Sequence, residues 1–301
     1  MPLLASAIRL TVPILLAALG GVFSERGGVV NIALEGMMIT GTFFGALGAY
    51  QHGPLAGALY ATLGGAGLAL IHAVVTVTFG VDQIIAGVAL NLLAAGVTRF
   101  LTIQIFGVAT QSPGVSGFVP FNIPGLDRVQ ALAPLVTGIS PLVPVTLLLV
   151  LLGQWVLRRT AFGLRLRAVG ENPRASETLG INVYRMRYTG VLLSGALAGL
   201  AGAYLVLEQA HSYLEGMTQG LGFIALAAVI FGNWWPAGAL GAAVLFGFFE
   251  AVSLRVVAST VPYQVIQSLP YVVTILVLAG FVRRATPPAA DGIPYRRGGE
   301  E

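Results

Sequence analysis

The chain has 301 residues, 56% of them hydrophobic and only 9% charged, with 16 basic against 12 acidic side chains and a formal net charge of +4. A soluble domain carries roughly 25% charged residues, so these proportions exclude an ordinary soluble enzyme and indicate a polytopic membrane protein. The sequence has no cysteine and no lysine, which excludes a disulfide framework, thiol chemistry and a P-loop, whose lysine sits on the phosphates.

A membrane span needs about 20 mostly apolar residues. In chain order the candidates are 4–23, 32–50, 54–79, 84–106, 141–157, 188–207, 219–233, 237–257 and 263–282. Only GNWWPAG (232–238) parts the seventh from the eighth, which makes them a tight hairpin or a partly re-entrant element. The fold is therefore read as an all-α membrane helix bundle of eight or nine spans. It forms a single transmembrane domain over 1–285, with a polar tail over 286–301 that is expected to be disordered at its end. The stretch 107–140, rich in Gly and Pro, reads as an ordered loop or re-entrant element outside the membrane. With nine spans, placing the Arg-rich loop 158–187 inside puts twelve of the sixteen arginines on the cytoplasmic side. The N-terminus is then outside and the C-terminus cytoplasmic, with Arg9 a mild violation.

The loop 158–187 holds nine of the 28 charged residues. Within it, Asn172-Pro173 reads as a helix start, Asn as N-cap and Pro at the first helical position, and Gly180 as a helix stop. A short capped helix thus sits between arginines. Lipid headgroups explain the arginines; they do not explain the cap or the length of the loop, which point to docking of a cytoplasmic partner.

The segment GLRLRAVGENPRASETLGINVYRMRYTGVLLSGALAGLAGAYL (163–205) resembles the coupling loop and following helix of bacterial ABC importer permeases of the ribose, nucleoside and branched-chain amino-acid branch. ERGGVVNIALEGMMITG (25–41), GVALNLLAAGVTRFL (87–101), GMTQGLGFIALAAVIFGNWWPAGAL (216–240) and SLPYVVTILVLAG (268–280) follow in the family's order. The first three of these resemble in particular the nucleoside-type permeases paired with basic-membrane-lipoprotein receptors. The resemblance implies a bacterial inner-membrane transport subunit with no cofactor of its own. Its partners would be a separate ABC ATPase subunit, a second permease (homodimer or heterodimer) and an extracytoplasmic solute-binding receptor lipoprotein. It also implies that 170–180 is the coupling helix, with Glu171, Asn172, Pro173, Arg174 and Glu177 meeting the ATPase. A simple sugar or a branched-chain amino acid is the alternative cargo.

Polar residues at membrane depth often mark a pathway. Asn31, Glu35, Met38 and Thr42 share one helical face of the second span; Gln83, Gly87, Asn91 and Thr98 share one of the fourth. Asn31, Glu35, Gln83, Asn91 and Thr98 are therefore candidate pathway residues for a ligand rich in hydroxyls and ring nitrogens. The plainer reading is hydrogen bonding inside the bundle, with Asn31 and Glu35 serving the start of their own helix. Glu250 is expected to pair with Arg255 or to mark a proton site, and His72 to be a hydrogen-bonded packing residue. Glu208, His211 and Glu215 lie in the outer connection and are candidates to face the receptor. Gly195, Gly199 and Gly202 form a small-residue face for close packing or a permease–permease interface. The three histidines show no metal-ligand spacing, no catalytic constellation is present, and no basic stripe interleaved with aromatics points to nucleic acid. An ion-coupled carrier working alone, with Glu35 or Glu250 as proton site, would show paired broken helices in internal repeats, which are not evident. A channel would need a ring of like residues or a carbonyl filter, and neither is visible.

Overall fold

The computed structural model describes residues 3–122, 138–255, 272 and 285–297. They form ten α-helices: α1 (Leu3–Arg26), α2 (Leu34–His52), α3 (Pro54–Ala73), α4 (Gln83–Phe106), α5 (Leu142–Arg159), α6 (Ala161–Glu171), α7 (Pro173–Thr178), α8 (Val183–Tyr204), α9 (Leu221–Phe231) and α10 (Pro236–Ser253). A single π-turn extends α3 through Thr78 and another extends α8 through Ala210. Six of these stretches are long and apolar enough to cross a membrane: 3–26, 54–78, 83–106, 142–159, 183–210 and 236–253. The candidate span 263–282 lies outside the described residues.

Within the seventh candidate span, 219–233, the structure has α9, of 11 residues. At 1.5 Å per residue it rises about 16 Å, half of a bilayer core of about 30 Å. Gly220 at its start has φ +81° and Gly232 lies at its end, so the backbone turns sharply on both sides. α9 is thus too short to cross by itself, and the turn after it brings Gly232 directly against Gly238 and Ala239 of α10.

Helix α8 is the hub, flanked by α1, α2 and α3. Its small-residue face is used within the chain. A Cβ on Gly199 would come within 2.2 Å of the Ala61 carbonyl oxygen, and one on Gly202 within 2.4 Å of the Met38 carbonyl oxygen. The backbones touch because nothing stands between them, which is how helices associate where no hydrophobic drive exists. Gly199→Ala is expected to lower stability by roughly 1–3 kcal/mol or more through overpacking, read as a lower midpoint of thermal unfolding. An unchanged midpoint would show that α3 and α8 can separate freely.

The outward faces are apolar. On α5, Leu148, Leu151 and Trp155 are 54%, 67% and 58% exposed, and Leu92 on α4 is 71% exposed. Such surfaces suit lipid or a partner helix rather than water.

Candidate functional site

At one end of the bundle, three side-chain caps set the course of the chain. Thr160 Oγ1 accepts from Gly163 N at 3.2 Å and starts α6; Asn172 Oδ1 accepts from Ala175 N at 2.9 Å and starts α7; Asn182 Oδ1 accepts from Arg185 N at 3.0 Å and starts α8. The capped helix expected at Asn172-Pro173 is α7, and Gly180 beyond it has φ +79°. Glu171, Asn172 and Arg174 are exposed, while Pro173 and Glu177 are partly covered. Leu179, which sequence reasoning passed over, is 80% exposed just after α7. It stands between Thr178 and the helix-ending Gly180, where no apolar periodicity runs, so the sequence offers no periodic signal that this one leucine turns outward.

The segment 285–297 packs against this end. Ala290 N donates to the Gly170 carbonyl at 2.9 Å, and Ala289 N to Glu171 Oε2 at 3.2 Å. Arg187 Nη1 donates to the Ile293 carbonyl at 2.9 Å. The Tyr295 hydroxyl donates to the Glu177 carboxylate, and Arg297 Nε lies 2.8 Å from Glu177 Oε1. Two of the expected coupling residues, Glu171 and Glu177, are thus also anchors for the tail. Glu171 Oε1 is in addition 3.9 Å from Arg26 Nη1. Burial pushes the Asp291 carboxyl up to about 7, against the pull of the Arg187 and Arg26 guanidiniums; Glu25 on α1 also stands near it. A freed tail returns Asp291 to its ordinary 3.8. The docked segment holds a proton more tightly than the free one. Docking is therefore strongest below the free value and weakens as pH rises through about 7. Hydrogen exchange at residues 289–293, corrected for intrinsic rates, is expected to accelerate across that window and to lose the trend in Asp291→Asn. A flat profile in the unaltered chain would contradict it.

The interior polar residues converge on residues 27–36. Asn31 was expected on the face of the second span, but α2 begins only at Leu34, and Asn31 lies in the preceding turn. Its Nδ2 donates to Ser194 Oγ at 2.8 Å, so it ties the turn to α8 and does not cap α2. Gln83 Oε1 accepts from Val30 N at 2.6 Å, and His72 Nε2 lies 3.3 Å from the Val30 carbonyl oxygen. Asn91 Nδ2 donates to the Ile32 carbonyl at 3.0 Å while its Oδ1 accepts from Gly36 N at 2.7 Å. Three side chains from α3 and α4 thereby hold the backbone that connects α1 to α2.

Glu35 is buried and acts at a distance. Its Oε1 accepts from Thr218 Oγ1 at 2.6 Å and Gly220 N at 3.0 Å, and its Oε2 from Gly222 N at 2.7 Å. A carboxylate on α2 thus caps α9, where exposed N–H groups and the positive end of the helix dipole favour an anion. Glu35 does lie in the first turn of α2, but its hydrogen-bond partners include Gly220, 185 positions further on, beyond any local pattern.

Thr98 stands apart. With Thr40, Phe44, Tyr60, Leu63 and Leu93 it lines a cavity of about 620 Å³ among α2, α3 and α4. Its Oγ1 donates to the Ala94 carbonyl at 2.7 Å and receives the Tyr213 hydroxyl at 3.4 Å.

At the opposite end, Glu208, His211 and Glu215 fall on the stretch that crosses from α8 to α9. Val115 N donates to the His211 carbonyl at 2.8 Å and Glu215 N to the Thr110 carbonyl at 2.9 Å, so this stretch pairs with residues 110–115. Glu208 is half-buried, His211 is exposed, and Glu215 lies 3.4 Å from Arg99. The expected pair of Glu250 with Arg255 is not among the ion pairs of the described residues: α10 ends at Ser253, so Arg255 lies in the turn beyond the helix that carries Glu250. Among the described residues no group of three His, Asp or Glu could hold a metal ion.

Comparison with known proteins adds to this geometry. The family described as branched-chain amino acid transport system / permease component matches residues 3–279. The guanosine ABC transporter permease protein NupQ of Bacillus subtilis is 42% identical over 298 residues, covering 95% of this chain and 93% of its own length. The nucleoside ABC transporter permease protein NupC of Lactococcus lactis is 40% identical, covering 97% of this chain and 96% of its own length. A relative from Haloferax volcanii, provisionally named as a glucose ABC transporter permease, is 34% identical over 94% of this chain and 92% of its own length. With a match across nearly its whole length and six apolar helices of spanning length, the chain is a multi-pass membrane protein that belongs to this family of ABC transport permeases.

Proposed function

We propose that this chain is the transmembrane permease subunit of an ATP-driven importer for a nucleoside-like solute. The observation that carries the reading is the identity of 42% and 40%, along almost the full chain, to relatives named for guanosine and nucleosides. The cavity beside Thr98 is in keeping with it: small-molecule sites are mostly apolar with a few polar groups and measure about 300–1,000 Å³. Phe44 and Tyr60 offer aromatic faces, and Thr40 and Thr98 hydroxyl oxygens. In this reading Asn31, Gln83 and Asn91 fix the 27–36 turn, and Glu35 fixes α9, as walls of the path that rearrange with it. The path is completed by a second permease subunit, the same chain or a related one.

The energy comes from a separate ATPase subunit docked on α7. Glu171, Asn172, Pro173, Arg174 and Glu177 form its polar border, and Leu179 is the apolar contact at its centre. Closure of the ATPase dimer would displace α7, and α8 with it, so that the bundle rocks between two openings. This end of the bundle is then cytoplasmic. It gathers the C-terminal ends of α1 and α5, the coupling segment and the tail, and with them most of the arginines. Glu208, His211 and Glu215 at the other end face a solute-binding receptor outside.

The relative named for glucose supports a simple sugar as the second reading. Uptake into liposomes holding the full transporter, with ATP inside and no ion gradient, separates the two. Guanosine uptake that an excess of unlabelled glucose leaves intact supports the first reading. Glucose uptake alone would establish the second, and uptake that ignores ATP and follows a proton gradient would overturn both.

A further inference from the structure

Three guanidinium groups converge on one indole. The Cζ atoms of Arg26, Arg158 and Arg167 lie 4.6, 4.8 and 5.3 Å from the centroid of the Trp235 ring. An indole has two faces, so at least two of these cations share one. Such crowding of like charge needs compensation. The carboxylates that act on Arg26 are Glu171, 3.9 Å away, and Asp291, and Arg26 also donates to the Trp234 carbonyl at 2.7 Å and the Asn233 carbonyl at 3.1 Å. Among the described residues Arg158 and Arg167 have no carboxylate partner, and the buried Nε of Arg167 has no hydrogen-bond acceptor.

The turn that presents Trp235 is strained. Asn233 and Trp234 both have positive φ, 51° and 56°, a conformation that costs side-chain-bearing residues energy and persists only where its surroundings fix it. Here Arg26 grips both carbonyls, and the Trp234 indole donates to Glu25 Oε2. The turn so held places the Trp235 ring among the arginines.

The direction of the site is set by α5. Leu148, Leu151 and Trp155 are exposed, and with Arg158 they follow the spacing of one helical face. An apolar stripe thus runs along the bundle, passes an exposed tryptophan of the kind that marks the headgroup level, and ends at a cluster of cations with unused donors. A guanidinium above an aromatic ring keeps its in-plane N–H groups free for phosphate oxygens. We propose that Arg158, Arg167 and Trp235 form a headgroup site for an anionic phospholipid whose acyl chains lie along Leu148, Leu151 and Trp155.

The test uses the full transporter in phosphatidylcholine vesicles doped with brominated phosphatidylglycerol or, at the same fraction, brominated phosphatidylcholine, and reads quenching of tryptophan fluorescence. Phosphatidylglycerol is expected to quench with roughly thirtyfold preference, at about 1 kcal/mol for each of the two arginines near the surface. The preference should vanish in Arg158→Gln/Arg167→Gln and persist in Arg159→Gln, a neighbouring arginine off the indole. Equal quenching by the two lipids in the unaltered protein, a measurement that needs no variant, would overturn the proposal. So would displacement of phosphatidylglycerol by inorganic phosphate alone, which would assign the cluster to a free anion, or an equal loss in Arg159→Gln, which would reduce it to general surface charge.

Discussion

Glu35→Ala is expected to yield little folded permease. The substitution leaves Thr218 Oγ1, Gly220 N and Gly222 N without the carboxylate that receives them. A buried donor left unmade costs roughly 1–3 kcal/mol. The three share one partner and are not simply additive, yet their loss removes several kcal/mol from a typical total of about 5–15. It also frees the N-terminus of α9, a helix too short to be stable alone. Glu35→Gln keeps an oxygen for Thr218 and Gly220 but brings an N–H group toward Gly222, and should fall between the two. Monodispersity in detergent and the midpoint of thermal unfolding measure the effect. A Glu35→Ala protein as stable as the unaltered one, yet inactive in uptake, would return Glu35 to a direct role in the path.

Leu179→Asp is expected to release the ATPase subunit while leaving the bundle folded. The side chain is 80% exposed and makes no part of the core, so stability should change little. A central apolar anchor in an interface is worth about 2 kcal/mol or more, so affinity should fall on the order of 30-fold. ATP-driven uptake should be lost in parallel, whereas Leu179→Met should retain both. Co-purification of the ATPase with Leu179→Asp at the unaltered ratio would refute the assignment of α7 as its docking element.

The tail bears on this coupling. Tyr295 and Arg297 hold Glu177, and Ala289 holds Glu171. The tail thus holds the end of α6 through Glu171 and α7 through Glu177, and Leu179, just beyond α7, stays exposed. In the proposed coupling, a displacement of α7 pulls on the tail through Glu177, while Ala290 and Ile293 bind that tail to Gly170 on α6 and Arg187 on α8.

The sequence by itself determined the class of this protein. Composition alone excluded water as its main surroundings, because apolar side chains at this density have no soluble core large enough to hold them. Local chemistry was legible for the same reason that it is local. Asn172-Pro173 caps and starts α7 through atoms within three residues, and Gly180 ends it through its own φ. The packing glycines of α8 were visible as a stripe, because helical periodicity is a property of the segment.

What the sequence could not supply were partners set by distance along the chain. Glu35 looked like a residue of its own helix; only the fold carries Gly220 to it. Asn31, Gln83 and Asn91 looked like two polar stripes; the tertiary structure spends them on the backbone of one turn. Residues 285–297 of the polar tail became a docked segment, and GNWW became a strained turn beside an indole set among three arginines. A hydrogen bond or a cation on an aromatic ring is decided over a few ångströms in space, and the chain specifies those few ångströms only once it has folded.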